Sequence, residues 1–438
     1  MDLVETKIAR GAEIPEEVHE HPVLKFPPGF LWGSSTSSHQ VEGGNDKNDW
    51  WEWEKKPHHI ADGTLSGSAS GHYARYKEDF ALARNNHQNA HRLSIEWSRV
   101  EPTKGEWNVS ELRHYRDVLM ELKSHSFTVM LTLHHFTIPT WLADEGGWEN
   151  PRTIFYFNRF VKWVADELGD LVDIWVTVNE PMIYVSQGYL YGAWPPGKKS
   201  IISSYRVFRN LTRAHKKAYL TLHDTLDRRD RTVKVGIAQN VISFEPYRRH
   251  KMIDMWFVRF ADRLWNHWFF SRTKRHHDFI GINYYFHYRV AFVPRDYAHF
   301  FFQVRNENRE VSDVGWEVYP PGIFRVIADM ASYGKPMYIT ENGIAVTNDD
   351  KRNRFIVAHV KEIYHAIAAG MDVRGYFHWS LLDNFEWEKG FGPRFGLIEV
   401  DYATMERRPR KSLGIYGEIA QENGIKHDLL RFLGHMVK

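Results

Sequence analysis

Two glutamates stand where strand-forming runs stop. The run IWVTVNEP (residues 174–181) carries Glu180, and MYITENG (337–343) carries Glu341. Glutamate is a poor strand residue. An N-cap or a buried ion pair accounts for either one alone, but less easily for the same arrangement twice. In both runs an Asn adjoins the Glu, and Pro181 or Gly343 separates it from the next helix. A pair of carboxyl groups flanking one bond suits glycoside cleavage. One protonates the leaving oxygen, while the other attacks the anomeric carbon or activates water. Two nearby carboxyls do not ionise equally, so one is raised and supplies the acid near neutral pH. Arg92, in the run AHRLSIEW (90–97), is the candidate to keep the other ionised.

The elements that must position such a pair are legible as eight short apolar runs. They are Phe30–Ser35, Ala90–Ile95, Phe127–Leu133, Ile174–Val178, Val233–Ala238, Phe279–Asn283, Met337–Thr340 and Gly375–Trp379. Helical patterns fall between several of them, at Tyr73–Asn85, Ser110–His125, Phe155–Leu168, Tyr205–Asp227, Gly322–Ser332 and Arg354–Ala369. Strands alternating with helices imply parallel pairing through crossovers. Eight such units predict an α/β fold, a (β/α)8 TIM barrel in a single domain over residues 26–438. Residues 1–25 lack apolar periodicity and read as an N-terminal extension. The turn after the first run, GSSTSSHQ, lacks the glycine spacing of a dinucleotide site. Polar and aromatic groups follow the runs: Gln40, Glu96-Trp97, His134-His135, Asn179-Glu180, Asn283-Tyr284-Tyr285, Glu341-Asn342 and Trp379. These are the carboxyl ends, where barrel enzymes place their sites.

Composition removes several other classes. The chain has 438 residues, 57 Lys+Arg against 55 Asp+Glu, and no cysteine. A charge of +2 lacks the basic excess of a nucleic-acid binder. Without cysteine there is no disulfide scaffold, iron–sulfur site or thiol chemistry. The sequence has no apolar run of about 18 residues, and its first residues have no signal-peptide core. The expected setting is cytoplasmic, with no membrane and no nucleic acid among the partners. Aromatic residues reach 15%, including 17 Trp. Their faces suit sugar rings, and their edges suit any large core.

At these residues the chain resembles the family-1 glycoside hydrolases, the β-glucosidase type. The matching motifs are FLWGSSTSSHQVEG (30–43), HRLSIEWSRVEP (91–102), TVNEP (177–181), GINYY (281–285), ITENG (339–343) and WSLLDNFEW (379–387). The resemblance runs from about Phe26 to about Ala420. It implies a retaining double displacement, with Glu341 as nucleophile and Glu180 as acid/base. It also implies that Asn179 bonds the sugar 2-hydroxyl, and that Arg92 and Tyr285 orient Glu341. Gln40, Glu386, His135 and Trp387 would bind the other hydroxyls, Trp379 would form the stacking floor, and Trp316 would face the aglycone. Three departures stand out. His134-His135-Phe136 replaces the commoner Tyr-His-Trp, Met182 replaces a Trp, and the stretch between strands five and six is short. A more open rim is expected on that side.

The implied activity is exo-hydrolysis of β-D-glucosides, with overlap to β-D-galactosides and fucosides, acting on small β-glycosides or short oligosaccharides. A transglycosidase of the same fold is one rival. A catalytically silent sugar-binding barrel is another, though the intact glutamate pair speaks against it. No cofactor and no metal are expected. Adjacent His residues on a strand point to opposite faces, and HExxH is absent. The basic clusters at 228–229, 248–249, 272–275 and 407–411 read as solvated loops.

Overall fold

The structure, a computed structural model, describes residues 22–229, 231–294, 302–304 and 310–436. Eight parallel strands close a barrel: β1 Leu31–Ser35, β2 Ala90–Ser94, β3 Thr128–Thr132, β4 Ile174–Asn179, β5 Val235–Asn240, β6 Ile280–Asn283, β7 Met337–Asn342 and β8 Val373–Trp379. β8 returns to β1 with Gly375 opposite Leu31 and Trp379 opposite Ser35. Each strand matches an expected run. β5 begins and ends two residues later than expected, because its ladder extends until Asn240 pairs with Asn283. Strands buried on both faces read as continuous apolar runs, which is why they were visible. Met130, Ile174, Val176, Phe279, Tyr338 and Phe377 plug the barrel interior below the site.

The outer helices are α1 His72–Asn85, α2 Val109–Ser124, α3 Thr153–Leu168, α4 Ile201–Asp227, α5 Met252–Asp262, α6 Pro320–Met330, α7 Asp349–Ala368 and α8 Lys411–Glu422. α5 and α8 were not among the expected helices. The two strands that carry the glutamates are irregular where they reach them. The β4 ladder slips between Val176 and Asn179, and the β7 ladders slip between Ile339 and Glu341 and between Ile339 and Asn342. Such bulges bend a strand and re-aim the next side chain. Gly343 comes directly after because a Cβ there would lie 1.8 Å from the Trp379 carbonyl oxygen.

Two additions surround this frame. Of the expected extension, residues 1–21 lie outside the described residues. Pro22–Lys25 instead pairs antiparallel with Gly424–Lys426. Between β5 and α6, Ser243–Pro246 and His287–Phe292 pair in parallel, and Phe302–Val304 adds antiparallel to the second. This small sheet and α5 build the rim on the side where the sequence suggests an opening.

Candidate active site

Glu180 comes immediately after β4 with φ +43°, a left-handed conformation uncommon outside glycine. Its amide donates to the Ala238 carbonyl at 2.6 Å, and Pro181 begins a short helix. The turn directs the carboxyl across the top of the barrel. There the Asn283 amide donates to Glu180 Oε1 at 2.8 Å. Asn283 cannot flip, because its Oδ1 accepts from Thr340 Oγ1 at 2.6 Å. Its Nδ2 also reaches Asn179 Oδ1 at 3.2 Å.

Glu341 sits within β7 and is 4% exposed, against 7% for Glu180. Tyr285 Oη donates to Glu341 Oε2 at 2.6 Å, and Arg92 Nη1 donates to Oε1. Burial and the neighbouring carboxylates hold the Tyr285 phenol far above its usual range, so it remains a donor. Arg92 lies under the pair and links three strands. Its Nε donates to Thr132 Oγ1 at 3.2 Å, Nη1 to the Thr340 carbonyl at 3.2 Å, and Nη2 to Asn179 Oδ1 at 2.7 Å. A chain Glu180–Asn283–Asn179–Arg92–Glu341 therefore connects the two carboxyls.

The pair is asymmetric. The cation and the phenol both lie on Glu341. Glu180 has an uncharged amide partner. Burial first, and then the charge of Glu341, push its carboxyl up to about 8. Two buried carboxyls with divided environments can serve one as acid and the other as base or nucleophile.

The remaining predicted residues surround this pair. His135 Nε2 lies 3.3 Å from the Asn179 amide nitrogen, and its ring runs nearly parallel to Trp379 and Trp387 at 6.0 and 6.2 Å. Burial, followed by the charge of Arg92, keeps His135 neutral. Its Nδ1 is buried and has no hydrogen-bond partner among the described residues. Gln40 Nε2 donates to Asn384 Oδ1 and to the Phe385 carbonyl, both at 3.0 Å, and to Glu386 Oε2 at 3.3 Å. Burial, then the charge of Glu388, push Glu386 up to about 8, and the Trp379 side chain hydrogen-bonds its carboxyl. Trp316 stands further out, 5.6 Å from the Tyr285 ring and 5.0 Å from Phe286. All eleven residues singled out in the sequence thus fall into one contact network. Glu180, Phe136 and Trp387 share positive φ. Backbone strain of this kind clusters at functional sites.

The adjacent histidines separate as expected. His134 leaves the site, and its Nε2 accepts from Trp148 Nε1 at 3.0 Å. Phe136 packs behind the pocket on Trp387 and Trp194. Asn384 was not singled out, and Asn283 was named only as a polar residue ending its strand, with no role. Asn283 lies inside the quoted GINYY motif, where a polar amide ending a buried strand was the available signal. A group that could hold a metal, Asp262, His267 and Asp329, joins the end of α5 to α6. His267 donates to Asp262 and Asp329, and these hydrogen bonds raise it to about 9, which favours the protonated ring.

Residues 23–276 and 270–425 match the profile described as glycosyl hydrolase family 1. A β-galactosidase of Pyrococcus woesei is 33% identical over 93% of this chain and 100% of its own length. A solved β-glycosidase from Pyrococcus horikoshii superposes with TM-score 0.86 at 40% identity, covering 94% of this chain and 98% of that one. A β-glucosidase from Thermotoga maritima in complex with glucoimidazole superposes with TM-score 0.87 at 31% identity, covering 92% and 100%.

Proposed function

This chain belongs to glycosyl hydrolase family 1, and we propose that it is a retaining exo-β-glycosidase that removes β-D-glucosyl units, with overlap to galactosyl and fucosyl units. It is a glycoside hydrolase; the finer reading rests on the asymmetry of the glutamate pair. Glu341, held by Arg92 and Tyr285, is the nucleophile. Glu180, raised by burial and by the charge of Glu341, is the acid. The Glu341 carboxylate bonds to the anomeric carbon as the glycosidic C–O bond breaks, and the Glu180 proton goes to the leaving oxygen. Covalent capture removes the charge on Glu341, so Glu180 loses one of the two effects that raise it. It then accepts a proton from the water that attacks the anomeric carbon, and Glu341 leaves as carboxylate. Asn179 bonds the 2-hydroxyl, a contact that strengthens in the transition state. Gln40, His135, Glu386 and Trp387 bind the other hydroxyls over the Trp379 floor. A protonated Glu386 both donates and accepts, so either 4-epimer can be bound. The β-glucosidase and β-galactosidase names among the relatives support this substrate class.

The deciding experiment is hydrolysis of 4-nitrophenyl β-D-glucoside by wild type, Glu341→Gln and Glu180→Ala. Glu341→Gln is expected to lose several orders of magnitude in kcat, and unchanged turnover would sink the assignment. Glu180→Ala is expected to slow alkyl glucosides far more than the nitrophenyl glucoside, because nitrophenolate departs without a proton. Equal losses on both substrates would remove Glu180 from the acid role.

A further inference from the structure

The helix beside the active-site rim has two faces with opposite relations to the protein. α5 runs on through a wider-turn segment, Arg263–His267, into the helical turns Trp268–Thr273. Its inner face is fastened to the barrel. Asn266 makes a reciprocal pair with the Ile242 backbone at 3.0 and 2.8 Å. Trp265 Nε1 donates to the Asn240 carbonyl at 3.1 Å, at the carboxyl end of β5. Asp254 is buried and taken by Arg248 at 2.6 and 2.7 Å.

The outer face is apolar, and among the described residues it is exposed. Met252, Trp256, Phe260 and Leu264 recur every four residues and are 76, 57, 51 and 41% exposed. The Trp256 and Phe260 rings stack at 5.7 Å, only 4° from parallel. One turn on, Trp268 stacks near Tyr205 of α4, and the line continues to Ile201 and Ile202, each 66% exposed. Trp268 itself is half-buried against Phe208, but the residues on either side of it are exposed, and an exposed apolar patch of this kind marks an interaction surface. It is also cationic. Residues 248–275 hold eight Lys and Arg against two Asp, in a chain whose formal charge is +2. Arg249, Lys251, Arg259 and Arg263 are exposed. Among the described residues no carboxylate pairs with any of these four. The clusters expected to be solvated loops at 248–249 and 272–275 therefore bracket one amphipathic surface.

We propose that this face docks on the surface of an anionic lipid bilayer. Met252, Trp256, Phe260 and Leu264 enter the headgroup–acyl boundary, and the flanking cations meet lipid phosphates. Aromatic and aliphatic groups on one side with Lys and Arg beside them are the composition of an interfacial helix. No helix among the described residues is long and apolar enough to cross a membrane, so the contact is peripheral. A second copy of the chain is disfavoured as occupant, because two-fold pairing would bring this positive face against itself. Docking would bring the β5 and Trp265 side of the mouth to the bilayer.

The test is co-sedimentation of the full chain with vesicles of phosphatidylcholine alone, or mixed with phosphatidylglycerol. The wild type is expected to pellet with the mixed vesicles about tenfold more strongly than with neutral ones, and to be released by high salt. Trp256→Ser/Phe260→Ser and Arg259→Gln/Arg263→Gln should each lower binding about tenfold or more. Their melting temperatures and hydrolysis of a soluble nitrophenyl glycoside should stay at wild-type values. Equal pelleting with both vesicle types, or variants that bind as wild type, would overturn the proposal. So would a wild-type dimer that the Trp256→Ser/Phe260→Ser variant dissolves, without vesicle binding, which would assign the face to a second copy.

Discussion

Glu180 takes a hydrogen bond from the Asn283 amide at 2.8 Å, and that bond favours the charged carboxylate. Burial and the charge of Glu341 act in the opposite direction and prevail, placing the group at about 8. The two carboxyls titrate as a pair, so the upper limb of kcat/KM against pH reports the upper macroscopic value. For the wild type that limb is expected near pH 8. In Asn283→Ala the ionised form of Glu180 loses its donor, so the limb should move to higher pH. Asn179 loses one of its two donors as well, so some weakening of KM accompanies it. A pH profile of the variant on the nitrophenyl glucoside checks this. A limb that stays in place would mean the amide only packs against the acid. Asn283 shows what single residues conceal: in the sequence it is an amide at a strand end, and its role depends on Thr340, which turns it, and Glu180, which it meets.

At the level of elements, bulges in β4 and β7 just before the glutamates account for their inward aim, since a regular ladder would hold the alternation set further down the strand. The strands themselves were legible because both of their faces are buried. α5 was not expected, although Met252, Trp256, Phe260 and Leu264 recur at helical spacing; here the apolar stripe marks the exposed face, not the face held to the barrel. Its far end is tied to α6 by charge. His267 lies 2.7 Å from Asp329 and 3.4 Å from Asp262, and these partners raise it to about 9. A histidine raised above its unfolded value of ~6.5 contributes stability that is complete below that pH and is lost as pH climbs through 9. His267→Asn should therefore unfold at lower urea than wild type at pH 6, with the gap closing by pH 10. A gap that stays constant with pH would reduce His267 to a packing role.

Across the whole molecule, the two ends of the described chain meet beneath the barrel. Asn423 ends α8 with φ +49°, a conformation asparagine tolerates better than most residues. Its Oδ1 accepts from Trp32 Nε1 at 2.9 Å, and its Nδ2 donates to the Phe26 carbonyl at 2.9 Å and to that of Pro27 at 3.1 Å. The Phe26 amide returns a bond to the Asn423 carbonyl at 2.9 Å. One side chain thus ties the last helix to the segment that enters β1. Asn423→Ala leaves the buried Trp32 donor unpaired and strains the backbone, and should cost about 2–4 kcal/mol. Asn423→Gly removes the same side-chain bonds without the strain and should cost measurably less. Urea unfolding separates the two, and KM for the nitrophenyl glucoside should be unchanged in both, because the seam lies at the end of the barrel opposite the site. Equal stability of Ala and Gly variants would discard the backbone term.

The sequence by itself determined the alternation of strand and helix, the barrel that eight such units close, and the two glutamates with their aromatic and polar neighbours. These are properties of short windows, where periodicity and residue type are local. The tertiary structure alone decided the rest. Arg92 meets its partners across 87 and 249 residues of chain, and no local pattern encodes which strands will stand side by side. The proton on Glu180 depends on burial and on a charge brought from another strand. The exposure of Trp256 and Phe260 depends on what does not pack over them. An apolar residue reads the same in sequence whether it faces the core or solvent.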